Sequence, residues 1–281
     1  MKIGLVLEGG AMRGMYTAGV LDVLMENNIP VDVMVGVSAG ALFGVNYPSR
    51  QIGRVIRYNK RFAPDKNYIG LWPLLKEGNI VSTQFAYHEV PCKLDVFDDK
   101  AFRASGIPFW AVVTDMETGE GEYLLLESVF EQMDILRASG SMPFVSRPVV
   151  WQGKRCLDGA IADSIPYRWM ADQGYEKRIV VLTRQAGYRK KPMNKALCTA
   201  FYRKWPKFLQ KLLTRHSAYN AALDELEQWQ ANGEAFVLRP SEEINIGRIE
   251  KDPEKLQAVY DLGRKDAQAQ LAQLQQYLQA E

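Results

Sequence analysis

The chain has 281 residues, enough for one large domain or one domain with an appendage, and enough to bury a core without covalent staples. Lys and Arg (35) nearly balance Asp and Glu (33) and 47% of residues are hydrophobic, which fits a soluble globular protein and excludes a disordered or fibrous chain. No apolar run approaches the roughly 18–20 residues of a spanning helix, Met1-Lys2 leads into a strand too short for a signal sequence, and Cys92, Cys156 and Cys198 are too scattered for a disulfide framework, so a cytoplasmic setting is expected.

In chain order, Ile3 to Leu7 reads as a buried strand running into Glu8-Gly9-Gly10-Ala11-Met12-Arg13-Gly14, and apolar residues at helical spacing follow from Met15 to Asn27. Val31 to Val37 is the next strand, and it meets Ser38-Ala39-Gly40 and a helix-forming run. Two strands joined by a helix imply a right-handed crossover and a parallel sheet. Residues 49–98 read as helical and irregular, with Leu71-Trp72-Pro73-Leu74-Leu75 an apolar cluster that is either core or the border of a cleft. Phe109 to Thr114 and Glu122 to Leu126 read as strands, Val129 to Ala138 as a helix, and Ser139 to Pro143 as a loop of small residues. Val149 to Trp151 and Arg155 to Leu157 flank Gln152-Gly153-Lys154 as a hairpin whose second strand delivers Asp158-Gly159-Ala160. With Arg178 to Thr183 as a further strand, residues 1–185 form one α/β domain, and 186–281 a mainly helical extension packed on it.

Charge is segregated in this second half. No acidic residue lies between Glu176 and Asp224, while Arg184, Arg189, Lys190, Lys191, Lys207, Lys211 and Arg215 all do. Such a block predicts an anionic partner or pairing with the acid-rich tail. Phe201, Trp205, Phe208, Leu209, Leu212 and Leu213 fall on one helical face opposite the bases, so segment 189–215 is either a peripheral helix on an anionic membrane or, because Pro206 interrupts the pattern, a surface helix docked on the core. Ser217 to Asn232 reads as a separate helix, Phe236 to Leu238 as a strand, and Asp252 to Tyr277 as a long helix begun by an Asp cap with Pro next to it.

Gly36-Val37-Ser38-Ala39-Gly40 after a strand has the form of a nucleophile elbow, in which small neighbours let strand and helix approach and the serine projects at the helix start. The same pentapeptide also suits a plain strand-to-helix junction capped by serine. The Gly9–Gly14 loop could offer backbone N–H groups to an oxyanion if the first two strands are neighbours. A dinucleotide loop ranks below this, because Ala11 takes the middle glycine and no acidic residue ends the second strand. A Ser-His-Asp triad is not available: His88 lies in the helical insert and His216 in the basic segment, neither after a strand. Asp158, after a strand and before Gly159, is the best-placed base, and it must be largely buried to be basic enough.

The ordered set Gly9-Gly10-Ala11-Met12-Arg13-Gly14, Gly36-Val37-Ser38-Ala39-Gly40 and Asp158-Gly159-Ala160 resembles the patatin-like phospholipase family, as do Val113 to Gly119, Ala138 to Pro143 and the lead into Asp158. The resemblance covers roughly residues 3 to 185, and the last hundred residues are similar to the extension of bacterial members. It implies a three-layer fold, a mostly parallel central sheet with helices on both faces, and hydrolysis of acyl esters of lipids by a Ser-Asp dyad. Ser38 is then the nucleophile and Asp158 the base. The backbone amides of Gly9, Gly10, Ala11, Met12 and Ala39 would be the oxyanion donors. Arg13 would fix the loop or steer an anionic head group, with Gly14, Gly36, Gly40 and Gly159 as supports. Neither cofactor nor metal is called for. The partner is a lipid ester, with peripheral contact to anionic membrane and no nucleic acid; oligomeric state is not legible. Acyl transfer and a low-turnover lipid-binding module of the same fold are the alternatives. Ala11 departs from the glycine that many members have, which leaves the path of the loop open.

Overall fold

A computed structural model describes residues 1–280. Eight strands form one sheet: β1 (Ile3–Leu7), β2 (Val33–Val37), β3 (Phe109–Asp115), β4 (Gly121–Leu126), β5 (Val149–Trp151), β6 (Lys154–Asp158), β7 (Lys177–Val181) and β8 (Phe236–Leu238). The order β3-β2-β1-β7-β8 is parallel throughout, while β4, β6 and β5 are antiparallel additions at the β3 end. Helices cover both faces: α1 (Met15–Glu26), α2 (Ala39–Gly44), α3 (Arg54–Phe62), α4 (Leu71–Glu77), α5 (Asp99–Ala104), α6 (Met133–Ser139), α7 (Tyr167–Asp172), α8 (Lys195–Tyr202), α9 (Pro206–Ala231) and α10 (Pro253–Gln279).

The parallel strands are buried on both sides, as their unbroken apolar runs require. Alternate residues feed two cores: Leu5, Leu7, Met34, Ile179 and Val181 pack with α1, α3 and α10, and Val6, Val35, Val37, Val180 and Leu182 pack with α7 and α9. The mostly parallel, three-layer α/β arrangement is the expected one. Helix α6 is shorter than its sequence pattern, beginning at Met133 after a turn.

One register relation positions the site. Along β3, Val112 pairs with Val37 of β2, and Val113 pairs with Asp158 of β6. Both Val112 and Val113 also pair with β4. A strand has only two edges, so β2 and β6 share the edge opposite β4 and meet end to end there. The last residues of two strands far apart in sequence are thereby brought face to face.

The region after β7 is woven into this body. Strand β8 extends the sheet beside β7. Helix α10 begins with Asp252 accepting from the N–H groups of Glu254 and Lys255, and it crosses α1 so closely that a Cβ on Gly19 or on Gly263 would lie 2.1 Å from a carbonyl oxygen of the other helix. The basic segment corrects one expectation. Pro206 does not interrupt a helix but starts one, at the first helical position where its missing N–H costs nothing, and α9 continues through the stretch read as a separate helix from Ser217. Of the two readings of the segment, the docked helix is the observed one. Cys198, Tyr202, Phe208 and Leu212 are buried with Met116, Leu157 and Ile161, and each large side chain so covered contributes about 1.5–3 kcal/mol. Among the described residues no helix is long and apolar enough to cross a membrane.

Candidate active site

Ser38 follows Val37 at the end of β2 and caps α2 with φ 54° and ψ −122°, a backbone conformation that side-chain-bearing residues rarely hold without compensation from their surroundings. The compensation is close packing. A Cβ on Gly36 would come 2.6 Å from the Gly40 carbonyl oxygen, and one on Gly40 would come 2.4 Å from that of Leu7. Glycine at both positions lets the turn close against β1. The Ser38 N–H is taken by Ser139 Oγ at 2.8 Å, and that hydroxyl in turn donates to the Val112 carbonyl at 2.7 Å.

Asp158 ends β6 opposite Val113 and receives the Ser38 hydroxyl, Oγ to Oδ2, at 2.9 Å. Its other oxygen accepts the Ala160 N–H at 2.9 Å, and its own N–H donates to Ser141. The last residue of α6, Ser139, and the turn after it to Ser141 therefore hold both partners at once, Ser38 through a side chain and Asp158 through a carbonyl. Gly159 follows Asp158 because a Cβ there would sit 2.1 Å from the Val112 oxygen. Ser38 and Asp158 are only 7% and 6% exposed. Burial raises the Asp158 carboxyl above its ordinary value, against the opposing pull of Arg215, the Ala160 N–H, the Ser38 hydroxyl and Lys190. A carboxylate so placed is a stronger base than one in water.

Strands β1 and β2 are neighbours, with Leu7 opposite Gly36, so the glycine loop lies beside Ser38. Gly9 is so near that a Cβ on it would be 2.8 Å from the Ser38 Cβ. The N–H groups of Gly9 and Gly10 donate to no acceptor among the described residues. Ala11 takes φ 49°, the left-handed conformation that glycine adopts freely, so the alanine follows the loop path at a conformational cost. Gly9, Gly10, Ala11 and Arg13 line a cavity of about 590 Å³ together with Ser38 and Asp158. Met12 and Gly14 are buried in the core beneath it, and Ala39 is buried at the start of α2.

Glu8, unremarked in the sequence, anchors the loop. Its buried carboxylate accepts from the Thr183 N–H at 2.6 Å and from the Tyr219 hydroxyl at 2.6 Å, tying β1 to β7 and α9. Ser139, read from the sequence as the start of a loop but in fact the end of α6, was also missed as an individual residue, because a serine among small residues carries no signal of its partner. Of the two histidines, His88 is exposed on the helical insert. His216 borders the cavity, but its ring nitrogens are engaged by the Leu213 carbonyl and Ser217 rather than by Ser38 or Asp158.

A family model described as patatin-like phospholipase matches residues 5–170. The chain belongs to the patatin-like phospholipase family. A second family model, described as a domain of unknown function (DUF6363), matches residues 205–279, which covers α9 through α10. Among curated relatives, an uncharacterized protein of Escherichia coli, YjjU, is 30% identical over 65% of this chain and 52% of its own length. The neuropathy target esterase sws of Drosophila melanogaster is 29% identical over 62% of this chain and 12% of its own. The lysophospholipase nte1 of Aspergillus niger is 29% identical over 62% of this chain and 11% of its own. The chain thus spans about half the length of the bacterial relative and about a tenth of the two eukaryotic ones.

Proposed function

We propose that this patatin-like chain is a serine acyl-ester hydrolase acting on lipid esters through Ser38 and Asp158. The observation that carries the reading is the 2.9 Å hydrogen bond from Ser38 Oγ to Asp158 Oδ2 at the strained turn after β2. The names borne by two relatives, an esterase and a lysophospholipase, are consistent with it.

In the proposed reaction Ser38 Oγ attacks the ester carbonyl while its proton passes to Asp158. The carbonyl oxygen becomes an oxyanion facing the N–H groups of Gly9 and Gly10, with Ala11 and Ala39 as further donors; such donors are worth about 3–4 kcal/mol each when preorganised. The C–O bond to the alcohol breaks as Asp158 returns the proton to the leaving oxygen. Water then attacks the acyl-serine, its proton goes to Asp158, and the fatty acid leaves as Ser38 is reprotonated. No histidine relay is needed, because the buried carboxylate contacts the nucleophile directly.

A fluorophosphonate probe is expected to label the wild-type protein at Ser38 and to leave Ser38→Ala unlabelled, and Ser38→Ala is expected to lose ester hydrolysis. Labelling elsewhere, or hydrolysis equal in the two proteins, sinks the proposal.

A further inference from the structure

The cavity that contains Ser38 has two unlike walls. Met142, Phe144, Ile161, Met193 and Leu212 give it an apolar side suited to an acyl chain. The other side is cationic: Arg13 from the glycine loop, Arg184 and Lys190 from the segment after β7, Arg215 from α9 and Arg248 from the loop before α10 all line it.

Glu8 and Asp158 lie near enough to favour the charged forms of Arg13, Lys190 and Arg215, but neither is in ion-pair contact with them. None of Arg13, Arg184, Lys190, Arg215 and Arg248 forms an ion pair among the described residues. Of the other cations lining the cavity, Arg189 pairs with Asp224 and Lys191 has no ion pair among the described residues, while Lys211 outside it pairs with Glu120. The acids within reach hydrogen-bond to uncharged donors instead of to these cations, Glu8 to Thr183 and Tyr219, and Asp158 to Ser38 and Ala160. What the cations do touch is uncharged. Lys190 Nζ lies 3.9 Å from the centre of the Tyr219 ring, Arg184 lies 4.3 Å from that of Tyr188, and Arg215 Nε reaches Ser164 Oγ at 3.3 Å. The Arg13 Nε is buried with no hydrogen-bond partner.

A buried polar donor without a partner, beside four half-buried cations and the exposed Arg248 that together outnumber the two lining carboxylates, is costly to assemble and calls for a ligand that completes it. Crowding is visible in Lys190, whose ammonium is lowered to about 7 by burial and then by Arg215. The ligand must be anionic. A zwitterionic head group would bring its own cation against these, with no free carboxylate to receive it. Donors arriving from several directions match the tetrahedral oxygens of a phosphate better than the planar fork of one carboxylate, and a monoester dianion offers more charge than a diester.

We propose that the cationic wall binds the phosphate of the substrate, which is an acyl ester of an alcohol bearing a phosphomonoester, the acyl chain lying on the apolar wall and the ester at Ser38. This deepens and rests on the hydrolase reading. It gives the region after β7, which supplies Arg184, Lys190, Arg215 and Arg248, a role in selecting the substrate.

The test compares a short-chain 1-acylglycerol 3-phosphate with the 1-acylglycerol of the same chain, both below micelle formation and at low salt. Wild-type kcat/KM is expected to favour the phosphate ester at least about tenfold, the worth of one charge-assisted contact. Arg184→Gln/Arg248→Gln, two positions on the wall away from Asp158, is expected to pull that ratio toward one; Arg248→Gln alone, at an exposed loop residue, serves if the double variant does not fold. Calorimetric titration with inorganic phosphate is expected to show binding that the variant weakens. A wild-type ratio near one, or a ratio the variant does not change, overturns the proposal. Phosphate binding without ester preference also overturns it, assigning the wall to a free anion. If neither ester is cleaved and Ser38 takes no fluorophosphonate, the hydrolase reading fails instead; absent phosphate binding then removes the anion site as well, while phosphate binding lost in the variant keeps the site without the reaction.

Discussion

Ser38 and Asp158 are held by backbone, at the ends of two strands that abut on one edge of β3, with glycines packed against carbonyls on either side. Arg184, Lys190, Arg215 and Arg248 reach the same cavity on long side chains, from loops and from the middle of a helix. The first arrangement tolerates almost no displacement, since a single added Cβ would collide with main chain. The second has slack, because each cation is one of several and each sits on a flexible stem. The contrast suggests that reaction geometry belongs to the sheet and head-group choice to the region that follows it, so the two should respond differently to mutation.

The sharpest probe of the rigid half is Asp158→Asn. Removing a general base typically costs about 10²–10⁴-fold, and a loss in kcat of that size is expected. Because burial raises the native carboxyl, the folded chain holds that proton more tightly than the unfolded one, so stability falls as pH rises from the ordinary value through the raised one. At neutral pH the ionised Asp158 is therefore a net cost, and the inactive Asn variant should melt higher than wild type in a thermal scan at pH 7, with the gap closing in acid. For the same reason the acid limb of kcat/KM should lie above the ordinary carboxylate range. An acid limb near pH 4 would break the link between burial and basicity.

A second probe asks whether the two halves are one body. Phe208 is fully buried where α9 meets β6 and the β3–β4 turn. Phe208→Ala should cost about 3–5 kcal/mol, read as a lower urea midpoint in a single transition. Two transitions would mean that α9 folds apart from the sheet. The smallest effect is expected at Ser139→Ala, which strips the Ser38 N–H of its acceptor inside the protein. Leaving that donor unmet should cost about 1–3 kcal/mol, with an unchanged denaturant slope and a loss of hydrolysis because the turn loses its tether.

What could be read from residues alone follows the same division. Strands β1, β2, β3 and β7 are short, apolar and bounded by glycine or proline, and the elbow and Asp158-Gly159 are contiguous signals, so the parallel sheet and the two reactive candidates were legible. The meeting of β2 and β6 on β3 was not, because it depends on pairing between segments far apart in sequence. The basic block was legible as charge, and its apolar face as either docked on the core or facing a membrane, because periodicity reports that a face is apolar without saying what covers it. Pro206 misled for a related reason: proline breaks a helix interior and starts a helix equally well, and only the preceding turn tells which. The gathering of Arg13 with Arg215 and Arg248 leaves no local trace at all.

The abutment of β2 and β6 also has a consequence in time. Ser38 and Asp158 are 120 residues apart, and at synthesis speeds of about 5–20 residues per second the proposed nucleophile exists for roughly 6–24 s before its proposed base has been made. During that interval the serine has no proton acceptor and β3 has an empty edge where β6 will pair. Until Asp158 is made and β6 pairs with β3, the proposed dyad is incomplete, so the order in which the strands are synthesised sets when it can assemble.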